Sequence, residues 1–519
     1  MDEGNMSIQT RLSSQMVLGE VATRWAHKAP DQIAFVVGEE QYTYAQFNTR
    51  VNLLANALLN LGIQRGDKVS LLMMNCVEIM EGYFATAKIG AVAVPNNFRL
   101  AAGELAYQIN QSDSKVLVYQ DTFDEIVEAI RSEVTDVQHY IRISENTTEK
   151  SYNYEDLLSA STSGEPGVYV DDDDPVYIMY TSGTTGQAKG IVITHKNVLM
   201  ERINSTFELG IGSSDRGLVV PPLFHTGAAA FAMQLFYVGG TVVILERFEF
   251  DKILPLIEKH RITGLLLMPV MWGIVLGLPD IDQYDKSSLK YAVSGASSMP
   301  IEMKEQIMAK FPESGCYETY GLTETTVVVT MLKHVDARRK IGSIGKTVIN
   351  VDARVIDDNG NDVSPGKAGE LILRGPTMMK EVYKNPEATA EAFQDGWLYT
   401  GDVVRMDEEG YFYIVDRKKD MIITGGENVY PAEVEVALCK HPKIQEAAVI
   451  GLPDATWGEN VMALVILTPG ETMTAEEVIA YCKENIASYK KPKRVEFLSE
   501  LPRNASGKVL KQNLRETFS

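Results

Sequence analysis

Residues 180–190 read YTSGTTGQAKG, and the flanks of this stretch decide how the chain is read. Val176 to Tyr180 is a short β-rich run, and Lys189-Gly190 is followed by the strand-like Ile191-Val192-Ile193-Thr194. Between the two runs, glycines free the backbone to curl and turn N–H groups towards an anion. The hydroxyls of Thr181, Ser182, Thr184 and Thr185 can bond phosphate oxygens or a metal ion, and Lys189 adds a point charge. A Walker loop requires Gly-x-x-x-x-Gly-Lys-Ser/Thr and then a helix at once. Here the lysine runs into a strand. No helix N-terminus receives the phosphate, so hydroxyls and backbone must hold it. The competing reading is a flexible Gly/Ser/Thr loop, against which the strand flanks and the terminal Lys-Gly weigh.

Outward from this loop, strand-like apolar runs alternate with helical patterns. Residues 68–73 are followed by an amphipathic run to Lys88 and then by 91–94; the helix-like 251–260 precedes 265–268. This rhythm predicts α/β layers with largely parallel sheets. Residues 217–245, the most apolar stretch, contain Pro221, Pro222, His225 and Gln234 and read as strand, loop, buried helix and strand, not as a spanning helix. After about Ile341 short strands alternate with Gly, Asn and Asp turns, and 358–360 and 408–410 read as hairpin turns. This predicts a small antiparallel β-subdomain. The charge run 416–420, DRKKD, reads as a solvated turn. The last hundred residues predict an α+β unit: helix 431–439, strands 446–449 and 462–467, helix 475–486.

A length of 519 residues implies two or more domains, and 45% hydrophobic with 23% charged residues is ordinary for a globular enzyme. The formal charge of −21 repels polyanions, so nucleic acid is excluded as a partner. Any nucleotide must be held by local N–H groups, a few cations and a metal ion. Cys76, Cys316, Cys439 and Cys482 form no C-x-x-C pair and read as thiols in a reducing compartment. The N-terminus lacks a signal-peptide pattern, and the expectation is a cytoplasmic protein. No integral membrane segment is expected; peripheral contact is left open.

Further segments add chemistry. Residues 222–227, PLFHTG, carry His225, which alone reads as a satisfied core histidine. Residues 294–300, SGASSMP, form a turn of small residues at a strand end; either it lets a flat ring approach the backbone or it is a plain strand-to-helix turn. In 318–324, ETYGLTE, Tyr320 can stack on a base, Thr323 can bond a phosphate, and Glu324 can hold Mg²⁺, which prefers oxygen ligands. Asp402, in YTGD after the helix–turn run EAFQDGW, can accept two hydroxyls or be a turn aspartate. Arg417 can reach ribose or phosphate as a fork. Lys508 sits in LPRNASGKVL near the C-terminus, where a lysine is usually only solubilising.

Taken in order over most of the chain, these motifs resemble the adenylate-forming superfamily of acyl-CoA synthetases, luciferases and adenylation domains. Fatty-acyl and aryl-CoA ligases look most similar. The resemblance implies ATP, Mg²⁺ and coenzyme A, with a small carboxylic acid as substrate and a homodimer as the assembly. It implies that Thr181, Ser182, Gly183, Thr184, Thr185, Gly186 and Lys189 hold the ATP phosphates, with Thr181 and Glu324 on the metal. Gly295, Ala296, Glu318, Thr319, Tyr320, Gly321 and Thr323 would surround adenine, the α-phosphate and the acyl wall, and His225 would line the acyl pocket. Asp402 and Arg417 would take the ribose. Lys419 matches the hinge, Gly425 and Gly426 the pantetheine tunnel, and Trp457, Tyr489 and Lys491 the CoA nucleotide.

Lys508 matches the catalytic lysine of adenylation. The implied domains are 1–418 and a mobile 419–519. Amino-acid-activating relatives carry an Asp where His225 stands, and the Trp gate of some long-chain ligases is replaced by Ala228–Phe231. The first change disfavours α-amino acids and the second implies a different pocket closure; the small, apolar segments TGAAAFAM, SGASSMP and LTETTVVV favour an aliphatic or aryl acid over a highly charged one, and a medium- or long-chain fatty acid is the first expectation. A coumarate- or benzoate-like aryl acid is the second. A fatty-acyl-AMP ligase loading a carrier protein is a third, and no restraining insertion supports it.

Overall fold

The computed structural model describes residues 16–181, 188–295, 299–424, 427–454, 458–486, 488–503 and 509–519. They fall into two compact units, Met1–Asp352 with Leu373–Leu398, and Ala353–Ile372 with Tyr399–Ser519.

The larger unit holds two sheets. Among the described residues, one has nine strands in the order Lys346–Thr347, Thr330–Leu332, Gly315–Tyr320, Tyr291–Ser294, Gly264–Leu266, Arg216–Val219, Thr241–Ile244, Ile33–Val37, Glu40–Thr43. From Gly315–Tyr320 through to Ile33–Val37 every pair is parallel. Parallel neighbours need long crossovers. Helices Thr226–Tyr237, Phe250–His260 and Ile301–Lys310 supply three of them. Helix Phe250–His260 buries Ile253, Leu254, Ile257 and His260, spaced along one face, against a core that includes Trp272, Leu265 and Phe311. Trp272 is fully buried, and its indole N–H donates to Val293 O at 3.3 Å.

The second sheet runs Glu381–Val382, Lys189–Thr194, Pro175–Thr181, Val92–Pro95, Lys68–Leu72, Ser114–Gln120, His139–Ile143, Tyr152–Asn153. Lys68–Leu72 pairs in parallel with both neighbours, whereas Pro175–Thr181 and Lys189–Thr194 make an antiparallel hairpin. Helix His195–Leu209 follows that hairpin directly. Thr194 caps it by accepting from Asn197 N while the Asn197 side chain returns the bond, and Gly210 ends it at φ +69°. Helix Thr226–Tyr237 is apolar nearly all round and is accordingly interior.

In the smaller unit, Trp397–Met406 pairs antiparallel with Phe412–Arg417, setting Asp402 opposite Arg417. Farther on, Ile444–Asp454 pairs with Gly458–Leu467, which also takes Arg494–Phe497 in parallel. Helices Pro431–Cys439 and Ala475–Asn485 contribute Val434, Leu438, Val478 and Cys482 to a core shared with Val449, Val461 and Val465.

Two local expectations need correction, and the turn alternative for Asp402 falls away. The strands expected at 446–449 and 462–467 are longer, because pairing continues from Ile444↔Leu467 to Asp454↔Gly458 through Gly451, Pro453 and Asn460, residues with poor strand propensity. The run 416–420 is not a solvated turn. Asp416 and Asp420 are buried; Asp416 accepts from the amides of Arg417 (2.7 Å) and Ala432 (2.9 Å), and Asp420 pairs with Arg515 at 2.9 Å. Asp402 belongs to a strand interior and not to a turn. No helix among the described residues is long and apolar enough to cross a membrane.

Candidate active site

The phosphate-loop hairpin is anchored at its base. Thr181, the last residue of its first strand, faces Lys189, the first of its second, and both are half-buried. The Tyr180 hydroxyl donates to Gln108 O at 3.1 Å and also reaches the Gln111 side chain; Tyr107 OH donates to Ala188 O at 3.3 Å. Helix Ala102–Gln111 thus grips the hairpin on both sides of the turn. Gly190 is required by packing, since a Cβ there would meet Ile178 Cγ2 at 2.8 Å. Ser182, Gly183, Thr184, Thr185 and Gly186 lie outside the described residues.

The ETYGLTE segment supplies the second wall. Strand Gly315–Tyr320 carries Glu318, Thr319 and Tyr320, and the 3-10 turn Thr323–Thr325 carries Thr323 and Glu324. Thr319 Oγ1 donates to Ser294 O at 3.2 Å, and a Cβ on Gly295 would meet Thr319 Oγ1 at 2.6 Å. A Cβ on Gly321 would meet Val327 O at 1.3 Å, so only glycine fits there. Glu318 forms a buried ion pair with Lys304. Burial pushes the Glu318 carboxyl above its ordinary range, and Lys304 pulls it part of the way back. Immediately after the turn, Thr326 and Val327 adopt φ +57° and +94°. A β-branched residue there is strained by about 1–3 kcal/mol. Thr326 Oγ1 is held by Thr377 O at 2.7 Å.

These walls are tied together. Met379 N donates to Glu324 O (2.7 Å) and Lys380 N to Val192 O (2.9 Å), linking the Glu324 turn to the second hairpin strand. Thr226 Oγ1 lies 3.3 Å from Thr323 Oγ1, which brings the PLFHTG segment to the same turn. His225 is the N-cap of helix Thr226–Tyr237; its ring stands 4.3 Å from that of Phe224, which meets Phe98 edge-on at 5.1 Å. Burial, aided by nearby Arg99, lowers His225 to about 4, so the imidazole is neutral at physiological pH. Sequence reasoning missed the residues that aim this segment. Asn75 Oδ1 accepts from Leu223 N (2.7 Å), its amide donates to Pro221 O (3.1 Å), and Tyr83 OH donates to Leu223 O (2.9 Å).

In the smaller unit, Asp402 is buried, and one carboxylate oxygen pairs with Arg417 Nε at 2.6 Å. Arg417 is 34% exposed, so the guanidinium keeps donors towards solvent. Lys418 pairs with Glu370 at 2.9 Å, and Glu370 Oε1 accepts from Gly401 N at 3.2 Å. Lys419 lies in the 3-10 turn Lys418–Asp420, its side chain outside the described set. Tyr489 is exposed, and Lys491 Nζ donates to Ser488 O at 2.9 Å. Ala296, Gly425, Gly426, Trp457 and Lys508 lie outside the described residues.

A strand hairpin rich in hydroxyls, tied to a Thr-Glu turn and an apolar helix, matches a known family over residues 22–383, that of the AMP-binding enzymes. The AMP-binding enzyme C-terminal domain matches 433–508. The chain belongs to the AMP-binding enzyme family. It is 38% identical over 483 residues to the long-chain-fatty-acid–CoA ligase FadD13 of Mycobacterium tuberculosis, covering 92% of this chain and 93% of that protein. It is 36% identical over 502 residues to a feruloyl-CoA synthase of an Amycolatopsis species, covering 96% and 99%. Among solved structures, the O-succinylbenzoate coenzyme A synthetase MenE of Bacillus subtilis, in complex with ATP and magnesium ion, superimposes with a TM-score of 0.84 at 30% identity, covering 95% and 98%. This AMP-binding enzyme is an ATP-dependent, AMP-forming acid–CoA ligase that uses Mg²⁺. Thr181 and Glu324, the two residues matched to the metal, offer a hydroxyl and a carboxylate, both oxygen donors, which fits that ion.

Proposed function

We propose that the acid activated is a fatty acid of medium or long chain. One observation carries this: the apolar helix Thr226–Tyr237 begins against the Thr323 turn and is capped by a neutral His225. A charged substrate group would be desolvated there without a partner on that helix, which carries no charged residue. The ring row Phe98–Phe224–His225, edge-on at its first contact and tilted at its second, favours an aryl acid as the second reading.

The substrate carboxylate attacks the α-phosphorus of ATP; a new O–P bond forms as the bond to pyrophosphate breaks. The CoA sulfur then bonds to the acyl carbon, the C–O bond to AMP breaks, and the thiol proton leaves to solvent. In our reading the 181–186 hydroxyls, Lys189 and Lys508 stabilise charge on the phosphate oxygens during the first step. Thr181 and Glu324 would hold Mg²⁺, which supplies further positive charge there. Thr323 faces the α-phosphate, Gly295, Ala296, Glu318, Thr319, Tyr320 and Gly321 surround adenine, and Asp402 with Arg417 takes the ribose. Residues 1–418 and 419–519 act as the two domains. Lys419 serves as hinge, and Gly425, Gly426, Trp457, Tyr489 and Lys491 receive CoA in the second step.

The same reading puts a homodimer in the cytoplasm, an expectation of the family resemblance that light scattering and cell fractionation test. The substrate is tested by pyrophosphate release over a panel of saturated fatty acids, benzoates and cinnamates. Turnover concentrated on the fatty acids supports the reading; turnover confined to aryl acids contradicts it.

A further inference from the structure

At the 3-10 turn Lys418–Asp420 the side-chain attachments change direction along the chain. Lys418 reaches upstream, to Glu370 at 2.9 Å and to Asp358 at 3.3 Å. Asp420 is buried and reaches downstream, to Arg515 at 2.9 Å. Helix Lys511–Phe518, which carries Arg515, is fastened a second time where Lys511 pairs with Glu435 of helix Pro431–Cys439 at 2.8 Å. Asp416 reaches across this junction. It lies near the end of strand Phe412–Arg417 and is 5% exposed, and its Oδ2 accepts from Ala432 N at 2.9 Å. That amide is one the helix leaves open: Tyr430 gives no side-chain cap, Pro431 has no N–H, and Glu433 N already donates to Tyr430 O at 3.0 Å. A carboxylate at this end is also favoured by the helix dipole. Burial pushes the Asp416 carboxyl up, and the Ala432 amide, with Lys511 nearby, pulls it back.

The second oxygen of the same carboxylate accepts from Arg417 N at 2.7 Å, and Arg417 Nε pairs with Asp402 at 2.6 Å. One side chain therefore joins the start of helix Pro431–Cys439 to the backbone of the arginine held by Asp402. We infer that Asp416 is a positioning residue, a latch across the junction that holds residues 419–519 in the orientation serving one of the two half-reactions and not the other. This rests on the reading of Lys419 as the hinge. The carboxylate belongs to the chain before Lys419 and the Ala432 amide to the chain after it, so a turn about Lys419 parts them. A bond made in one orientation alone shifts the balance towards that orientation. An aspartate that served only to stabilise the fold would matter equally to both half-reactions.

Two measurements test the latch. In the unaltered enzyme, hydrogen exchange of the peptide containing Ala432 is compared with MgATP alone and with AMP plus CoA. Exchange should be at least tenfold slower in one state than in the other, roughly the worth of one charged hydrogen bond. A change elsewhere in 419–519 with none at Ala432 overturns the latch alone; no change anywhere in 419–519 defeats the hinge reading and the latch with it. In Asp416→Ala, pyrophosphate exchange driven by the carboxylic acid and thioester formation from supplied acyl-adenylate and CoA are measured separately. The half-reaction of the protected state should fall by about tenfold or more, while the other stays within a few-fold of the parent. Asp416→Asn keeps one oxygen for the Ala432 amide and should move the same ratio in the same direction by less, which preserves the test if the alanine variant does not fold. Equal loss of both half-reactions in a folded variant overturns the role of Asp416.

Discussion

Two acid–base pairs, one in each compact unit, differ in burial. Lys304–Glu318 is sealed, with side chains 3% and 12% exposed. Asp402–Arg417 is half open, with a buried carboxylate and an arginine 34% exposed. A sealed pair holds an element in place, since neither member can turn to a ligand without leaving its partner uncompensated. An open pair sets a carboxylate in a fixed orientation while leaving donors and lone pairs for a ligand. Glu318 therefore fixes strand Gly315–Tyr320 beneath the Thr323 turn, whereas in the second pair a buried Asp402 holds an Arg417 that solvent can reach.

The largest difference between the two should appear on truncation. Glu318→Ala leaves the Lys304 ammonium buried alone, and unfolding free energy should fall by about 3–5 kcal/mol in chemical denaturation. A loss below 1 kcal/mol would mean that the pair is not sealed in solution.

A third pair, Arg50–Glu81, sharpens the same contrast through pH. Glu81 is fully buried, bonded to Arg50 and to Tyr154 OH, and burial raises its carboxyl to about 7. The folded state then binds a proton that the unfolded state releases near pH 4.5, so this group's contribution to stability falls as pH rises from about 4.5 to about 7. The total is at most about 3 kcal/mol. Glu81→Gln should flatten the stability profile across that window; parallel profiles would contradict the raised value.

For the open pair the effect belongs to function. Asp402→Asn should weaken the charge-assisted bonds proposed to the ribose, worth roughly 1.5–3 kcal/mol, so KM for ATP should rise about 10- to 100-fold with little change in unfolding midpoint. A stability loss without a KM change would reverse the assignment. The smallest effect is expected at His225. Its titration lies near pH 4, so its stability contribution is present above about 6.5 and lost only as pH falls towards 4. The pH–rate profile of His225→Gln between pH 6 and 9 should match the parent in shape; a vanished limb would show that His225 titrates during turnover.

The fold was legible in the sequence wherever periodicity is strong, as in the hairpin strands flanking 182–187 and helix Pro431–Cys439. The site was legible where chemistry sits in one short segment, as in ETYGLTE. What escaped was long-range or conformational. Asn75 orients Leu223 from 148 positions away, and no local pattern marks it. Lys304 looks like an ordinary helix lysine until strand Gly315–Tyr320 packs beside it. Thr326 and Val327 read as strand formers yet take positive φ, because the turn that presents Thr323 and Glu324 forces them to. The charge run 416–420 misled for a related reason: its acids are satisfied by amides and by Arg515, partners that composition cannot reveal.

In the proposed mechanism adenylation and thioester formation share one site but use different residues, and a two-part assay of Lys508→Ala tests this most directly. Pyrophosphate exchange into ATP, driven by the carboxylic acid without CoA, should drop by at least a hundredfold. Thioester formation from supplied acyl-adenylate and CoA should stay within a few-fold of the parent. Equal loss in both halves, or retention of exchange, would contradict the division of labour.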